Sequence, residues 1–184
     1  MKPGSFNQLY TAEAQPKSVT MRFFLTLSSI AFLVPLLLSY PQWFVGIIVN
    51  CTLIMSAMHL RGQYLVPPIV LPSIGQTIKG FALGFFIFKS ILILPFIWIG
   101  NYAYICLFRQ LAFKKERHPL QALTLASLAK FLIIFTPAWI LYQMGFVSPV
   151  GIYILGPMQL GTALIGGFTA LGINDSINST FNKK

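Results

Sequence analysis

PLQALTLASLAKFLIIFTPAWILYQM, residues 119–144, holds a single charged side chain, Lys130, near its middle. As a helix rising about 1.5 Å per residue, this stretch is long enough to cross a hydrocarbon core of about 30 Å. Pro119 opens it, where a missing N–H costs nothing, and Pro137 lies inside. The pattern reads as a membrane-spanning helix, and the fold class follows from how often it recurs.

Comparable apolar runs cover 21–39, 42–60, 63–86, 90–113 and 150–173. Hydrophobic residues make up 56% of the 184-residue chain and charged residues only 9%. A water-soluble surface usually draws on about a quarter of the sequence for charge. The acidic residues are Glu13, Glu116 and Asp175 alone. These observations predict an all-α, polytopic membrane protein with six transmembrane helices. The third segment is expected to be broken, because Pro67, Pro68, Pro72, Gly75, Gly80 and Gly84 punctuate it. The organisation predicted is a cytoplasmic N-terminal segment over 1–20, a six-helix membrane domain over 21–173 and a cytoplasmic tail over 174–184. No small-residue cleavage site follows the first apolar run, which is read as a retained span.

The net charge of +10 is not laid out as a nucleic-acid footprint, since no basic helix face alternates with aromatics. The cations gather at span ends. Lys2, Lys17, Arg61, Arg109, Lys114, Lys115, Arg117, Lys183 and Lys184 fall on one side of a six-span path, and Lys89 falls on the other. Positive residues accumulate in cytoplasmic loops. The expected location is therefore a bacterial cytoplasmic (inner) membrane, multi-pass, with both termini inside.

Polar groups at membrane depth are costly and usually face a bundle interior or a water-filled cavity. Counting along each span puts Lys79, Asn101 and Lys130 near the middle, with Asn50 and Gln159 at a similar level or slightly outward. No carboxylate inside the spans can neutralise either lysine. Each must reach an interface, give up its proton, or meet water or a ligand. A hydrated cavity holding a carboxylate, phosphate or carbonyl-rich molecule would partner both. Proton relays usually employ buried carboxylates, so translocation of protons is the weaker reading.

Trp98 lies about one turn before Asn101, with Tyr102 directly after it, and Trp98 reads as cavity wall or interface. Trp139, Tyr142 and Tyr153 fit an interfacial aromatic belt. Small residues spaced by four (Gly80 and Gly84; Ala122 and Ala126; Thr162, Gly166 and Ala170) allow close helix approach, within the bundle or against another subunit. Cys51 and Cys106 read as small buried hydrophobes. His59 and His118 lack companions at ligand spacing, so no metal and no cofactor is expected. No catalytic triad, HExxH motif or phosphate-cradling loop is present, and the chain is read as a non-enzyme.

Three stretches carry a further signal: LPSIGQTIKG at 71–80, LPFIWIGN at 94–101 and QLGTALIGG at 159–167, with SLAKF at 127–131 between them. In this order they resemble the substrate-binding S components of energy-coupling factor (ECF) transporters. They look most like a branch of unassigned substrate often mislabelled iron hydrogenase. The resemblance covers about residues 43–173. It implies an S-component-like bundle with an outward-opening cavity walled by the last three helices. It also implies partners: a small-molecule substrate, a coupling membrane protein and two cytoplasmic ATPases. Carried over by position, Trp98, Asn101, Lys130 and Gln159 would face the cavity, together with Lys79. One departure concerns the first helix, which offers Ser28, Ser29 and Ala31 where the family often has an Ala-x-x-x-Ala docking face.

Two other readings compete. In a non-transporting membrane scaffold or assembly protein, the mid-depth polar groups would bond only to one another. An autonomous small transporter would show internal repetition, and residues 1–90 and 91–184 do not repeat one another convincingly.

Overall fold

Lipid offers a peptide group no hydrogen-bond partner, so an apolar chain within it satisfies its own backbone by coiling into helices. The computed structural model describes residues 17–38, 41–82 and 88–181. Among them no strand occurs. The helices are α1 (Lys17–Leu37), α2 (Gln42–His59), α3 (Val66–Ala82), α4 (Leu94–Arg109), α5 (Pro119–Gln143), α6 (Pro149–Leu155) and α7 (Pro157–Phe181). Short 3-10 turns at Gly62–Leu65 and Phe88–Ile93 lead into α3 and α4, and a π-helical turn, Gln110–Lys114, closes α4. Among the described residues, five stretches are long and apolar enough to cross a bilayer: Lys17–Leu37, Gln42–His59, Ile91–Lys114, Pro119–Gln143 and Pro149–Ser179. The chain is an all-α, multi-pass membrane protein.

Hydroxyls within these helices bond back to their own backbone, which removes their need for water. Thr52 donates to the Ile48 carbonyl, Ser56 to Thr52, Thr77 to Ser73, Thr124 to Leu120 and Thr169 to Ile165, all at 2.7–2.9 Å. The starts of α5 and α6 share one device. His118 and Ser148 accept from Leu120 N and Gly151 N, and a proline follows each at the first helical position.

The break expected in the third segment does not fall within 66–82. There α3 runs without interruption through Pro67, Pro68, Pro72 and Gly75. Two of these prolines occupy the first turn, where their missing donors would be unpaired anyway, so only Pro72 removes a ladder bond. Gly84 lies outside the described residues. An interruption not foreseen from sequence lies in the last segment, between α6 and α7. Gly156 leaves helical geometry there (φ −107°, ψ −108°), and Pro157 begins the next helix. A further difference is length. α7 continues past 173 to Phe181, into the stretch read as a tail, and buries Asn174. No glycine or proline interrupts 173–181 to stop it.

α7 packs most extensively on α2, α4 on α5, and α1 on α3. Missing side chains set these approaches. A Cβ on Gly166 of α7 would lie within van der Waals overlap of the Ile47 carbonyl of α2, and one on Gly75 would sit 2.6 Å from the Phe32 carbonyl of α1. A Cβ on Gly100 of α4 would meet Ile134 of α5 at 2.8 Å. Ala122, Ala126 and Ala170 are fully buried, so the small residues of α5 and α7 serve packing inside the bundle. Gly80 faces open space.

The two ends of the bundle differ. Phe23 near the start of α1 stacks on His59 at the end of α2 (4.1 Å between ring centroids), so those termini share one end. That end carries Lys17, Arg22 and Arg61. Two antiparallel passes, α3 and α4, bring Arg109, Lys114, Lys115 and Arg117 to it as well. The core lies in this basic half. Every residue from 52 to 60 of the α2 segment is buried, whereas Val45 is the one buried residue among 42–49. At the opposite end, residues 76–82, 94–99, 139–143 and 149–155 include none that is buried.

Candidate functional site

Lys130 occupies the middle of α5 with 2% of its surface exposed. An ammonium has three donors to satisfy and, in a bilayer, no water by default. One donor reaches the Asn50 side-chain oxygen on α2 at 2.5 Å. The same ammonium lies 5.2 Å from the centre of the Tyr104 ring on α4, within cation–π range. The Asn50 amide in turn donates to the Gly46 carbonyl at 2.8 Å and to the Thr162 hydroxyl on α7 at 3.2 Å. Thr162 donates to the Gln159 carbonyl at 3.2 Å. Tyr104 donates its hydroxyl to the Ala163 carbonyl of α7 at 2.7 Å. Four helices therefore converge on one cation.

Backbone proximity makes this possible. Gly46 and Gly166 let α2 and α7 approach closely enough for the short Asn50 and Thr162 side chains to bond. Gly167 leaves room for the Tyr104 hydroxyl, which would stand 2.7 Å from a Cβ at that position. Gly100 seats α4 against the Lys130–Ile134 turn of α5. The site stands where the packed basic half of the bundle ends. Outward of Thr162, residues 157–161 of α7 are half-buried or exposed.

A second polar seam joins α3 to α4. The Trp98 indole N–H donates to the Ser73 hydroxyl at 2.6 Å, and Ser73 passes a bond to the Val70 carbonyl at 2.8 Å. One turn further in, the Asn101 amide donates to the Ile69 carbonyl at 3.0 Å, with Asn101 2% exposed. That carbonyl belongs to the residue four before Ser73, in the stretch where Pro72 thins the helix ladder.

The five residues expected from sequence are thus placed as follows. Lys130 is the centre of the buried network. Gln159 borders it through its carbonyl, its side chain half-buried. Asn101 and Trp98 are buried or half-buried in the adjacent α3–α4 seam, with Asn101 following the Gly100 contact on α5. Lys79 stands apart. It lies in the last turn of α3, not at mid-depth, and its ammonium donates to the Leu38 carbonyl just past the end of α1 at 2.6 Å. A cation at a helix C-terminus satisfies an orphan carbonyl and complements the helix dipole.

Sequence reading did not assign Asn50, Thr162 and Tyr104 to the site. Asn50 was legible as a polar residue at the depth of Lys130. Tyr104 follows Asn101 by three residues and so shares its helix face. Thr162 was legible only as a small residue. Among the described residues no group of His, Cys, Asp and Glu could hold a metal. Compared with protein-family models, with curated proteins and with solved structures, the chain matches none.

Proposed function

We propose that this chain is the substrate-binding membrane subunit of an ATP-driven importer of the energy-coupling factor kind, capturing a small anionic or oxygen-rich molecule. The observation that carries this reading is the Lys130 ammonium, buried among four helices with one hydrogen-bond acceptor for three donors. Holding an unneutralised charge in that setting costs several kcal/mol on insertion scales. A guest bearing a carboxylate, phosphate or carbonyl group would supply what Asn50 alone does not. The sparse burial at the end opposite the basic face supports entry from that side. Trp98, Asn101 and Gln159 border the route and supply aromatic and amide surface, the mixture by which apolar pockets orient ligands.

In this reading the basic end faces the cytoplasm of a bacterial cell, with both termini inside, following the asymmetry of the cations. Energy comes from elsewhere: a coupling membrane protein and two cytoplasmic ATPases join this subunit. No phosphate-cradling loop in the sequence supplies it. The test is mass spectrometry of small molecules retained by the detergent-purified chain, repeated on Lys130→Met. One retained molecule, lost in the variant while the helical fold persists, supports capture. Retention of the same molecule by the variant would sink it.

A second reading, a membrane scaffold or assembly protein, draws on one specific observation. Lys130, Asn50 and Thr162 are bonded to one another across three helices. Interhelical bonds of this kind contribute about 0.6–2 kcal/mol each. On this reading nothing co-purifies, and Lys130→Met changes stability alone.

A further inference from the structure

We infer that the turn joining α4 to α5 is a binding surface for the phosphate headgroups of anionic lipids. The π-helical turn at Gln110–Lys114 ends α4, and only residues 115–118 separate it from Pro119, the buried first residue of α5. A connection this short cannot lift its side chains out of the headgroup layer, which extends roughly 5–8 Å beyond the hydrocarbon on each side.

The turn is folded, not slack. Lys115 N donates to the Gln110 carbonyl and Arg117 N to the Leu111 carbonyl, both at 3.0 Å. Glu116 between them takes a left-handed backbone conformation (φ 47°), which a side-chain-bearing residue adopts at some cost. This closed turn presents Lys114, Lys115 and Arg117, all exposed, within four residues of one another. None of the three forms an ion pair among the described residues, and neither does the intervening Glu116. Three unneutralised cations fixed at headgroup level match a row of lipid phosphates in charge and in height. A soluble acidic partner would have to reach into that layer. Clusters of this kind at the end of a membrane helix gain about 1 kcal/mol per Lys or Arg from an anionic surface. The inference does not depend on the capture reading.

The test uses the purified full-length chain titrated with phosphatidylglycerol and with phosphatidylcholine, read by native mass spectrometry. The wild type should retain the anionic lipid preferentially, and rising salt should weaken that preference. Replacing Lys114, Lys115 and Arg117 together by Gln should reduce retention by roughly fivefold per cation. Lys79→Gln, at the other end, should leave it unchanged. Circular dichroism of the triple variant checks that the helices persist. Equal retention by the triple variant overturns the inference, as does a wild type that takes both lipids alike. Inorganic phosphate competing away the lipid at millimolar concentration would assign the turn to free phosphate and overturn the lipid assignment. Loss in the triple variant of an acidic protein partner, with lipid retention intact, would overturn it too.

Discussion

The side chains of Lys130 and Asn50, 80 residues apart in sequence, meet at 2.5 Å between α5 and α2. The bond joins a full positive charge to a neutral amide oxygen, and the amide's own N–H groups are already committed to Gly46 and Thr162. Asn50 is thus oriented by its other partners so that its oxygen faces the ammonium.

This arrangement separates charge from shape at one position. Asn50→Asp keeps the size of the side chain and places a carboxylate beside Lys130. A protein anion there competes with an anionic guest. Affinity for the co-purifying molecule should fall at least tenfold, while the melting temperature holds or rises. Asn50→Leu leaves the ammonium without its acceptor and should cost about 1–3 kcal/mol. Unchanged affinity in Asn50→Asp would remove Lys130 from the binding site.

Gly166 and Gly80 make a matched pair for packing. A methyl group on Gly166 collides with the α2 backbone at Ile47 and Cys51, where little can move. Gly166→Ala should destabilise by about 1–3 kcal/mol and push α2 from α7. Gly80→Ala meets nothing within 4 Å and should be neutral or stabilise by up to about 1 kcal/mol through helix propensity. Equal melting temperatures for the two variants would contradict the α2–α7 contact.

The α3–α4 seam answers to Trp98 and Asn101. Trp98→Phe keeps the ring but loses the bond to Ser73, at a cost of about 1 kcal/mol. Asn101→Ala loses the bond to the Ile69 carbonyl at a similar cost. Its ligand affinity should also drop more than tenfold as the seam beside Lys130 loosens. A variant that melts earlier yet binds normally would confine Asn101 to a structural role.

Lys79 offers a contrast with Lys130. Its ammonium is held at the end of α1 by one carbonyl, in a half-exposed position. Lys79→Gln should shift stability by no more than about 0.5 kcal/mol, as exposed substitutions usually do. Binding should persist. Loss of binding on this change would return Lys79 to the site.

Sequence reading recovered the helical class because it depends on a local quantity, apolar length; of the six spans expected, five are long and apolar enough among the described residues, and 63–86 is not one of them. It picked out Lys130 and Asn101 as polar residues within spans, and both are buried. It expected prolines within 66–82 to break α3 and foresaw no break in the last segment, since proline content does not say which turn a proline enters. Pro67 and Pro68 open α3 harmlessly, while Pro157 starts a new helix behind Gly156. It also read Lys79 at mid-depth, because counting residues does not show where a long flexible side chain ends.

By itself the sequence determined that this chain lives in lipid as helices, with most of its cations gathered at span ends. An apolar peptide has no other way to satisfy its backbone there. Only the tertiary structure decided which polar groups meet. Lys130 finds Asn50, and Asn50 finds Thr162, because Gly46, Gly100 and Gly166 let backbones approach. That closeness is a property of helix pairs that no single helix encodes.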